Sequence, residues 1–569
     1  MKQTTARLIF TLVMLVYLFF FLIPLGSVIK GGFIVDGSFT LTYITGVFSN
    51  PIYREGLLNS LLIGLGTTLL ATIIALPLAW LANRFKFPLK GALTALLLVP
   101  MILPPFVGAI GFQQIFGQYG ALNAALNLGT VDWLGNDGRL FSVIVLQALS
   151  LYPIMYLNVA ASLANIDHAM LEAAENMGSS GFTTFRRITL PLIMPGIFAG
   201  GTIIFIWGFT ELGTPMIMNF TRCAPVQVFD AIKEIGSNPF PYALVLVMLI
   251  ASVSLYALSK LVFGQQSYAM ISKAATTFAE IEVTGLKGYA LVLPFLLVVM
   301  LALLPHFGVI LTSFTQPGSW YRTVLPTAFT INNYHEALGH SMTVSSIRNS
   351  LTYSMLAVLF NVVFGIAIAF VVVRSDLKLK GLLDALAMLP LAVPGLVMAF
   401  GYLTVSAYLS NLDTVKNSPF LLGLFDVRTN PTLFLVIAYS IRRLPYMVRS
   451  AVSGLQQTSI TLEEAAANMG ASPLKTVQLI TIPLITANLI AGALLAFAFS
   501  MLEVSDGLML AQRQDYYPIT KTIYELFQLI GTGQYIASAL GVWAMLFLAV
   551  TIIGCSLLLG KKMGAMFRV

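Results

Sequence analysis

The chain has 569 residues, 58% of them hydrophobic and only 9% charged, with a formal net charge of +8 and a mean hydropathy of +0.88. A soluble domain carries roughly 25% charged residues, so a water-soluble globular protein is excluded, and the basic balance is a matter of membrane topology rather than of nucleic-acid binding. The two cysteines, Cys223 and Cys555, stand far apart and imply neither a disulfide framework nor a metal site.

Apolar runs of about 20 residues, enough to cross a hydrocarbon layer roughly 30 Å thick, recur from end to end. Helices satisfy their own backbone polar groups in such a layer, so the expected fold class is an all-α polytopic membrane protein. In chain order the predicted spans cover about 8–29, 57–82, 92–114, 140–163, 195–219 and 242–264, then about 288–312, 349–373, 382–408, 431–453, 487–511 and 536–560. The first is longer than a signal-peptide core and lacks an A-x-A-like cleavage site, so it reads as a retained span. Gln265–Lys287 is polar, with Lys273, Glu280, Glu282 and Lys287, and reads as a cytoplasmic linker. The expected domains are therefore 1–264, with a polar loop at about 164–191, and 288–569, with a polar loop at about 456–483, joined by the linker 265–287.

The six-plus-six pattern is a tandem repeat. Asn59, Arg84, Lys90, Gly91, Pro100 and Pro104 recur as Asn349, Arg374, Lys380, Gly381, Pro390 and Pro394, a shift of 290 residues (390 less 100). By Pro153/Pro445 and Glu211/Glu503 the shift is 292 (445 less 153). An even number of spans per half makes the repeat parallel. If the N-terminus and the two polar loops face the cytoplasm, 20 of the 31 lysines and arginines lie inside and 11 outside, in keeping with the positive-inside rule. Both termini are then cytoplasmic.

The two polar loops are copies of each other. Leu171-Glu-Ala-Ala-Glu-Asn-Met-Gly178 leads to Pro191, and Glu463-Glu-Ala-Ala-Ala-Asn-Met-Gly470 leads to Pro483. Each has the grammar of two short helices joined by a glycine. In the second, Thr461 and Glu464 form a T-x-x-E capping pattern, Gly470 stands where a left-handed cap ends a helix, and Ser472-Pro473 restarts one. In the first, Asp167 is the expected N-cap, Gly178 the stop and Ser180 the restart.

The pattern Glu-Ala-Ala-x-Asn-Met-Gly-(x)12-Pro resembles the E-A-A coupling loop of permeases of binding-protein-dependent type I ABC importers. The resemblance covers nearly the whole chain, as two fused permease domains. Arg443-Leu-Pro-Tyr-Met-Val-Arg449, leading into Leu455-Gln-Gln, is similar to the ferric iron and phosphonate branches. The first copy departs there, with Ser150-Leu151-Tyr152-Pro153 in place of Arg442-Arg443-Leu444-Pro445. The resemblance implies a bacterial inner-membrane transport subunit that is not itself an enzyme. Its partners would be a homodimer of ABC ATPase subunits, which bind ATP and magnesium, and a periplasmic or lipid-anchored solute-binding protein. ATPase docking falls on Glu172, Ala173, Ala174 and Gly178, and on Glu464, Ala465, Ala466 and Gly470. A phosphate-loop motif, G-x-x-x-x-G-K-[ST], is missing from the sequence, in keeping with a separate ATPase.

An ionisable group at membrane depth is costly and points to function. Glu211 and Glu503 match at the repeat shift, toward the outer ends of their spans; facing each other they would favour a cation, and equally each could be tied to polar groups of its own half or reach the outer interface. Arg442 and Arg443, toward the inner part of their span, could contact an anion, snorkel to the interface or pair with a carboxylate. His168, His306, His335 and His340 lack ligand spacing and read as surface residues rather than as a metal site. Prolines 100, 104, 105, 390 and 394 are expected to bend or break helices. The substrate expected from the resemblance is ferric iron; a phosphonate, phosphate ester or other small anion is the alternative cargo, and an ion-coupled secondary transporter the alternative machine.

Overall fold

The structure is a computed structural model describing residues 3–101, 104–135, 138–235, 238–263 and 280–559. Most of the linker, the Gly560–Gly564 stretch, and Lys561, Lys562 and Arg568 lie outside the described residues, as do the side chains of Cys555 and His168. Among the described residues, nine helices are long and apolar enough to cross a membrane, or eleven if each of two bent pairs counts as one span.

The first half comprises α1 (Gln3–Phe33), α2 (Pro51–Arg84), the bent pair α3 (Lys90–Met101) and α4 (Pro105–Phe116), α5 (Gly138–Ala164), the loop helix α6 (His168–Asn176), α7 (Leu190–Thr210), the short α8 (Gly213–Ile217) and α9 (Phe240–Phe263). The second half repeats the series as α10 (Gly285–Phe314), α11 (Ser341–Arg374), the bent pair α12 (Lys380–Leu391) and α13 (Gly395–Ser410), α14 (Thr432–Gln457), the loop helix α15 (Thr461–Asn468), α16 (Ile482–Met501), α17 (Ser505–Leu510), α18 (Ile519–Phe527) and α19 (Gly533–Leu559). Helix α14 has the length of a span, 26 residues, but Arg442, Arg443 and Arg449 spoil its apolar character. The two bent pairs turn by 96° and 98° at the expected prolines, because a residue preceding proline is pushed out of helical geometry.

Each half is built on three mutually packed helices, α2, α5 and α7 in one and α11, α14 and α16 in the other. Small side chains make this possible. The buried face of α2 carries Gly56, Ser60, Gly64, Thr67, Ala71, Ala75, Ala79 and Ala82, a stripe that lets helix backbones approach closely without lipid between them.

The first helix of each half packs on the other half. Helix α1 lies against α13 and α11, and α10 lies against α4. The two exchanges use the same device: Gly401 backs onto the Pro24 carbonyl and Gly111 onto the Pro305 carbonyl, at separations a Cβ would abolish. The Tyr402 hydroxyl also donates to the Phe20 carbonyl at 2.7 Å, inside a five-residue π turn, Leu18–Leu22, of α1.

The chain reaches the first half before α10 begins. Ile281-Glu282 pairs in parallel with Phe85-Lys86, and Lys90–Glu280 and Lys86–Glu282 contacts of 2.9 and 3.3 Å flank the pairing. Helix α10 then starts at Gly285, inside the segment expected as linker. This exchange corrects the reading of His306 as a surface residue. It is 3% exposed, because α10 turns it toward α4, where a Cβ on Gly108 would lie 3.4 Å from its Nε2.

Candidate functional site

The copied loops fold alike. Gly178 and Gly470 adopt φ of +80° and +83°, which side chains disfavour and glycine accepts. The Ser179 amide donates to the Ala174 carbonyl and the Ala471 amide to the Ala466 carbonyl, each at 3.0 Å, the long-range bond of a Schellman cap. Chain direction then reverses into a second helix capped by the Ser180 hydroxyl, accepting from the Thr183 amide, and by the Ser472 hydroxyl, accepting from the Lys475 amide. Matching π turns, Phe185–Thr189 and Val477–Thr481, follow, each just ahead of a proline that supplies no amide proton.

One expected detail is corrected. Thr461 does not cap α15: its hydroxyl pairs with Ser459 at 2.7 Å, Ile460 occupies the cap position, and no side chain accepts there. The helix is held instead by Arg374, missed in the sequence, which contacts Glu463 at 3.1 Å and donates to the Leu455 and Thr458 carbonyls. In the first half Leu171 stands in place of Glu463, and Arg84 lies over the Trp80 ring, 5.7 Å from its centroid.

Within each Glu-Ala-Ala triplet, Glu172, Ala173, Glu464 and Ala465 are exposed and Ala174 and Ala466 are buried. Only one alanine of each pair is therefore presented outward. Beside them stand matched exposed apolar side chains, Met177 (83%) with Phe182 (74%) in one loop and Met469 (88%) with Leu474 (67%) in the other.

A second constellation lies where α7 and α16 end. Helix α7 stops at Thr210 and α8 restarts at Gly213, leaving Glu211 at the break; α16 stops at Met501 and α17 restarts at Ser505, leaving Glu503 there. These breaks meet: a Cβ on Gly213 would lie 2.7 Å from Val504 and 3.3 Å from a Glu211 carboxylate oxygen. Trp207 and Phe499, equivalent positions at the 292-residue shift (499 less 207), pack edge to face across the same junction, centroids 6.1 Å apart.

Arg442 and Arg443 converge on the Glu503 break. Arg442 Nη1 donates to Glu503 Oε1 at 2.6 Å and lies 3.5 Å from Asp506 Oδ2, while Arg443 Nη2 pairs with Glu503 Oε2 and donates to the Phe499 carbonyl at 3.0 Å. Of the three sequence readings of these arginines, pairing with a carboxylate is the one the structure contains. The inner and outer positions expected along the spans are corrected too, since groups in ion-pair contact share one level. Glu211 has a weaker partner, the Thr214 amide at 3.4 Å. Gly395, the first residue of α13, leaves room for the Arg442 guanidinium; the first half has Pro105 there.

Asp506 and Gly395 were missed as site residues because nothing local marks them. The repeat pairs Glu211 with Glu503, but the predicted spans 195–219 and 487–511 run through both, whereas the helices end at Thr210 and Met501. The contact between α14 and the α16–α17 break is a product of packing. Histidines, cysteines and carboxylates do not gather in threes to hold a metal ion among the described residues.

With this geometry in view, comparison with known proteins is specific at the family level. Residues 69–266 and 361–560 each match the family described as the binding-protein-dependent transport system inner membrane component. The two matches begin 292 residues apart (361 less 69), the same shift as the loops. The chain is 26% identical over 486 residues to the ferric transport system permease protein FbpB of Actinobacillus pleuropneumoniae, covering 81% of this chain and 64% of that protein. It thus spans less than two thirds of that relative. It is 29% identical over 234 residues to a Haloferax volcanii permease protein named for molybdenum transport, covering 41% of this chain and 82% of that one. It is 32% identical over 173 residues to the spermidine/putrescine transport system permease protein PotB of Escherichia coli, covering 30% and 62%. The chain belongs to the family of binding-protein-dependent transport system inner membrane components: it is a multi-pass membrane permease subunit built as an internal repeat.

Proposed function

We propose that this chain is the fused permease of an ATP-driven type I importer, with twelve spans in a parallel six-plus-six arrangement and with both termini and both copied loops in the cytoplasm. Each loop helix seats on one subunit of a separate ABC ATPase homodimer, through Glu172, Ala173 and Gly178 in one half and Glu464, Ala465 and Gly470 in the other, with the buried Ala174 and Ala466 behind the contact face. Closure of that dimer around ATP and magnesium draws the loops together, and a solute-binding protein delivers cargo from the opposite face. The observation that carries this reading is the matched outward surface of the two loops, with Met177 and Phe182 repeated as Met469 and Leu474, all more than two-thirds exposed. Paired apolar patches of this kind on polar loops are what a partner protein covers.

For the cargo, the charge balance at the two helix breaks supports a cation, with ferric iron first. Two guanidinium groups face Glu503 and Asp506 and are neutralised by them, which leaves the Glu211 carboxylate as the surplus charge beside the junction. An anionic cargo would need a guanidinium free of carboxylate, and Arg442 and Arg443 are both engaged.

The test is co-purification of the chain with its cognate ATPase. Gly178→Asp and Gly470→Asp together place a side chain at left-handed glycines and at the docking face, and the expected result is loss of the ATPase with the permease still inserted and monodisperse. Wild-type stoichiometry and normal transport in the double variant would overturn the docking assignment.

A further inference from the structure

A cavity of about 450 Å³ opens at the end of α5 opposite to the coupling loop. Arg139, at the start of α5, lines it, whereas the loop helix α6 follows the far end of the same 27-residue helix, about 40 Å away. The cavity therefore sits on the outer face in the orientation of the permease reading, on which this placement rests. The volume is that of a site for a small organic molecule, not of a single ion or water.

The lining is distinctive. Gln113, Gln114, Gln118 and Gln534 bring carboxamides, and Tyr119 and Tyr321 bring rings whose centroids lie 5.0 Å apart. The Arg322 guanidinium holds that aromatic wall, 4.9 Å from the Tyr119 centroid and 5.4 Å from that of Tyr321. Other side chains fix the shape: Gln114 Nε2 donates to the Trp320 carbonyl at 2.8 Å, Arg139 Nη1 to the Asn219 carbonyl at 2.9 Å, and the Gly318 amide to the Tyr535 hydroxyl at 3.0 Å. The cavity is thus preformed by bonds to backbone, which lowers the cost of ordering it around a ligand. Both halves line it, and the repeat offers no second copy, since Leu403 and Thr404 stand where Gln113 and Gln114 would recur.

We propose that this cavity binds a small oxygen-rich organic molecule, a polyol, a hydroxycarboxylate or a metal chelate of one, apart from the Glu211–Glu503 junction. A carboxamide both donates and accepts hydrogen bonds, as does a hydroxyl group, and Arg139 complements a carboxylate. The flanking rings cover the carbon skeleton of such a ligand. A bare metal ion is poorly served: among the lining residues Asp132 is the single carboxylate, and neither histidine nor cysteine stands beside it. A metal cargo would arrive with its own oxygen ligands. The floor leads toward the junction, because Gln113 donates at 2.5 Å to the carbonyl of Ile217, the last residue of α8, whose Thr214 amide faces Glu211 at the other end.

The experiment is equilibrium dialysis of the full chain in lipid nanodiscs against radiolabelled citrate, ferric citrate and maltose in separate arms. At least one probe is expected to saturate at one per chain. Gln118→Leu and Tyr321→Ala, both exposed residues whose loss leaves the shaping bonds above in place, should each weaken it by about tenfold, the worth of one or two hydrogen bonds or a ring contact. Glu211→Gln should leave binding unchanged. Failure of all three probes to bind at up to about 10 mM, where even weak specific sites fill, would overturn the proposal. Binding indifferent to both cavity variants, or abolished by Glu211→Gln, would overturn it equally. Because binding is read without ATP or ATPase, a failed cargo or coupling assignment shows in transport while this result stands by itself.

Discussion

Where the first half places Pro105, Ser150, Leu151 and Leu171, the second places Gly395, Arg442, Arg443 and Glu463, yet both end their loop helix on a left-handed glycine and restart it on a serine cap. The loop backbone and the proline bends recur in both halves, and the first helices are exchanged by the same close glycine–proline contact. The arginine pair and the loop carboxylate of the second half, Arg442, Arg443 and Glu463, do not recur in the first. On the proposed function, a shared drive needs two equivalent contact points and so keeps the loop backbone in both halves, whereas a pathway at the junction of the halves needs its arginines only once. The comparison separates what both halves share, the loop and bend backbone, from what only the second half holds, the arginine pair.

The comparison breaks most visibly at the buried ion cluster. Arg443→Leu leaves the buried Glu503 and Asp506 to share the single Arg442 guanidinium, one negative charge in excess, and is expected to destabilise the protein by about 3–5 kcal/mol, the usual result of leaving a buried charge uncompensated. Its counterpart in the first half, Leu151→Met, should cost less than about 1.5 kcal/mol, because shape and polarity are kept. Thermal unfolding in nanodiscs reads both, and equal losses would deny the asymmetry. The two carboxylates should separate in the same way: Glu503→Gln lowers stability, while Glu211→Gln lowers uptake with stability near that of the parent.

Smaller effects sharpen the contrast between the loops. Arg374→Ala removes a charged clamp on α15 and is expected to cost about 1.5–3 kcal/mol, the range for hydrogen bonds to charged groups. Hydrogen exchange should then quicken across Thr461–Asn468 and stay unchanged across His168–Asn176. Gly395→Ala should cost about 1–3 kcal/mol through overpacking against the Arg442 guanidinium. Least of all, Ser180→Ala and Ser472→Ala should each cost about 1 kcal/mol and should do so alike, since the caps are the duplicated part.

What the sequence made legible was local. Gly178, Gly470, Ser180, Ser472 and the prolines act through their own backbone geometry, and all were found where short-range rules put them. Repetition added the Glu211/Glu503 pairing, because the 292-residue shift that relates the loops holds for these glutamates as well. The failures were of packing and of competition. The exchange of α1 and α10 has no signature in any one segment, so the burial of His306 followed from a contact that no pattern near it encodes. Thr461 fits a capping pattern with Glu464, yet Ser459 takes its hydroxyl, and the start of α15 is held through Glu463 by Arg374 of α11 instead. The ion cluster was half legible: its arginines and its glutamate were each singled out, but their meeting required the break after Met501 to face the middle of α14.

The central claim is that the two loops couple this chain to ATP. The most direct test is uptake of radiolabelled ferric iron from its loaded binding protein into proteoliposomes holding the chain and its cognate ATPase. Uptake that requires ATP and the ATPase, and that is lost with Gly178→Asp and Gly470→Asp, is the predicted result. Uptake that proceeds without ATP on an ion gradient alone would contradict the account and favour a secondary transporter.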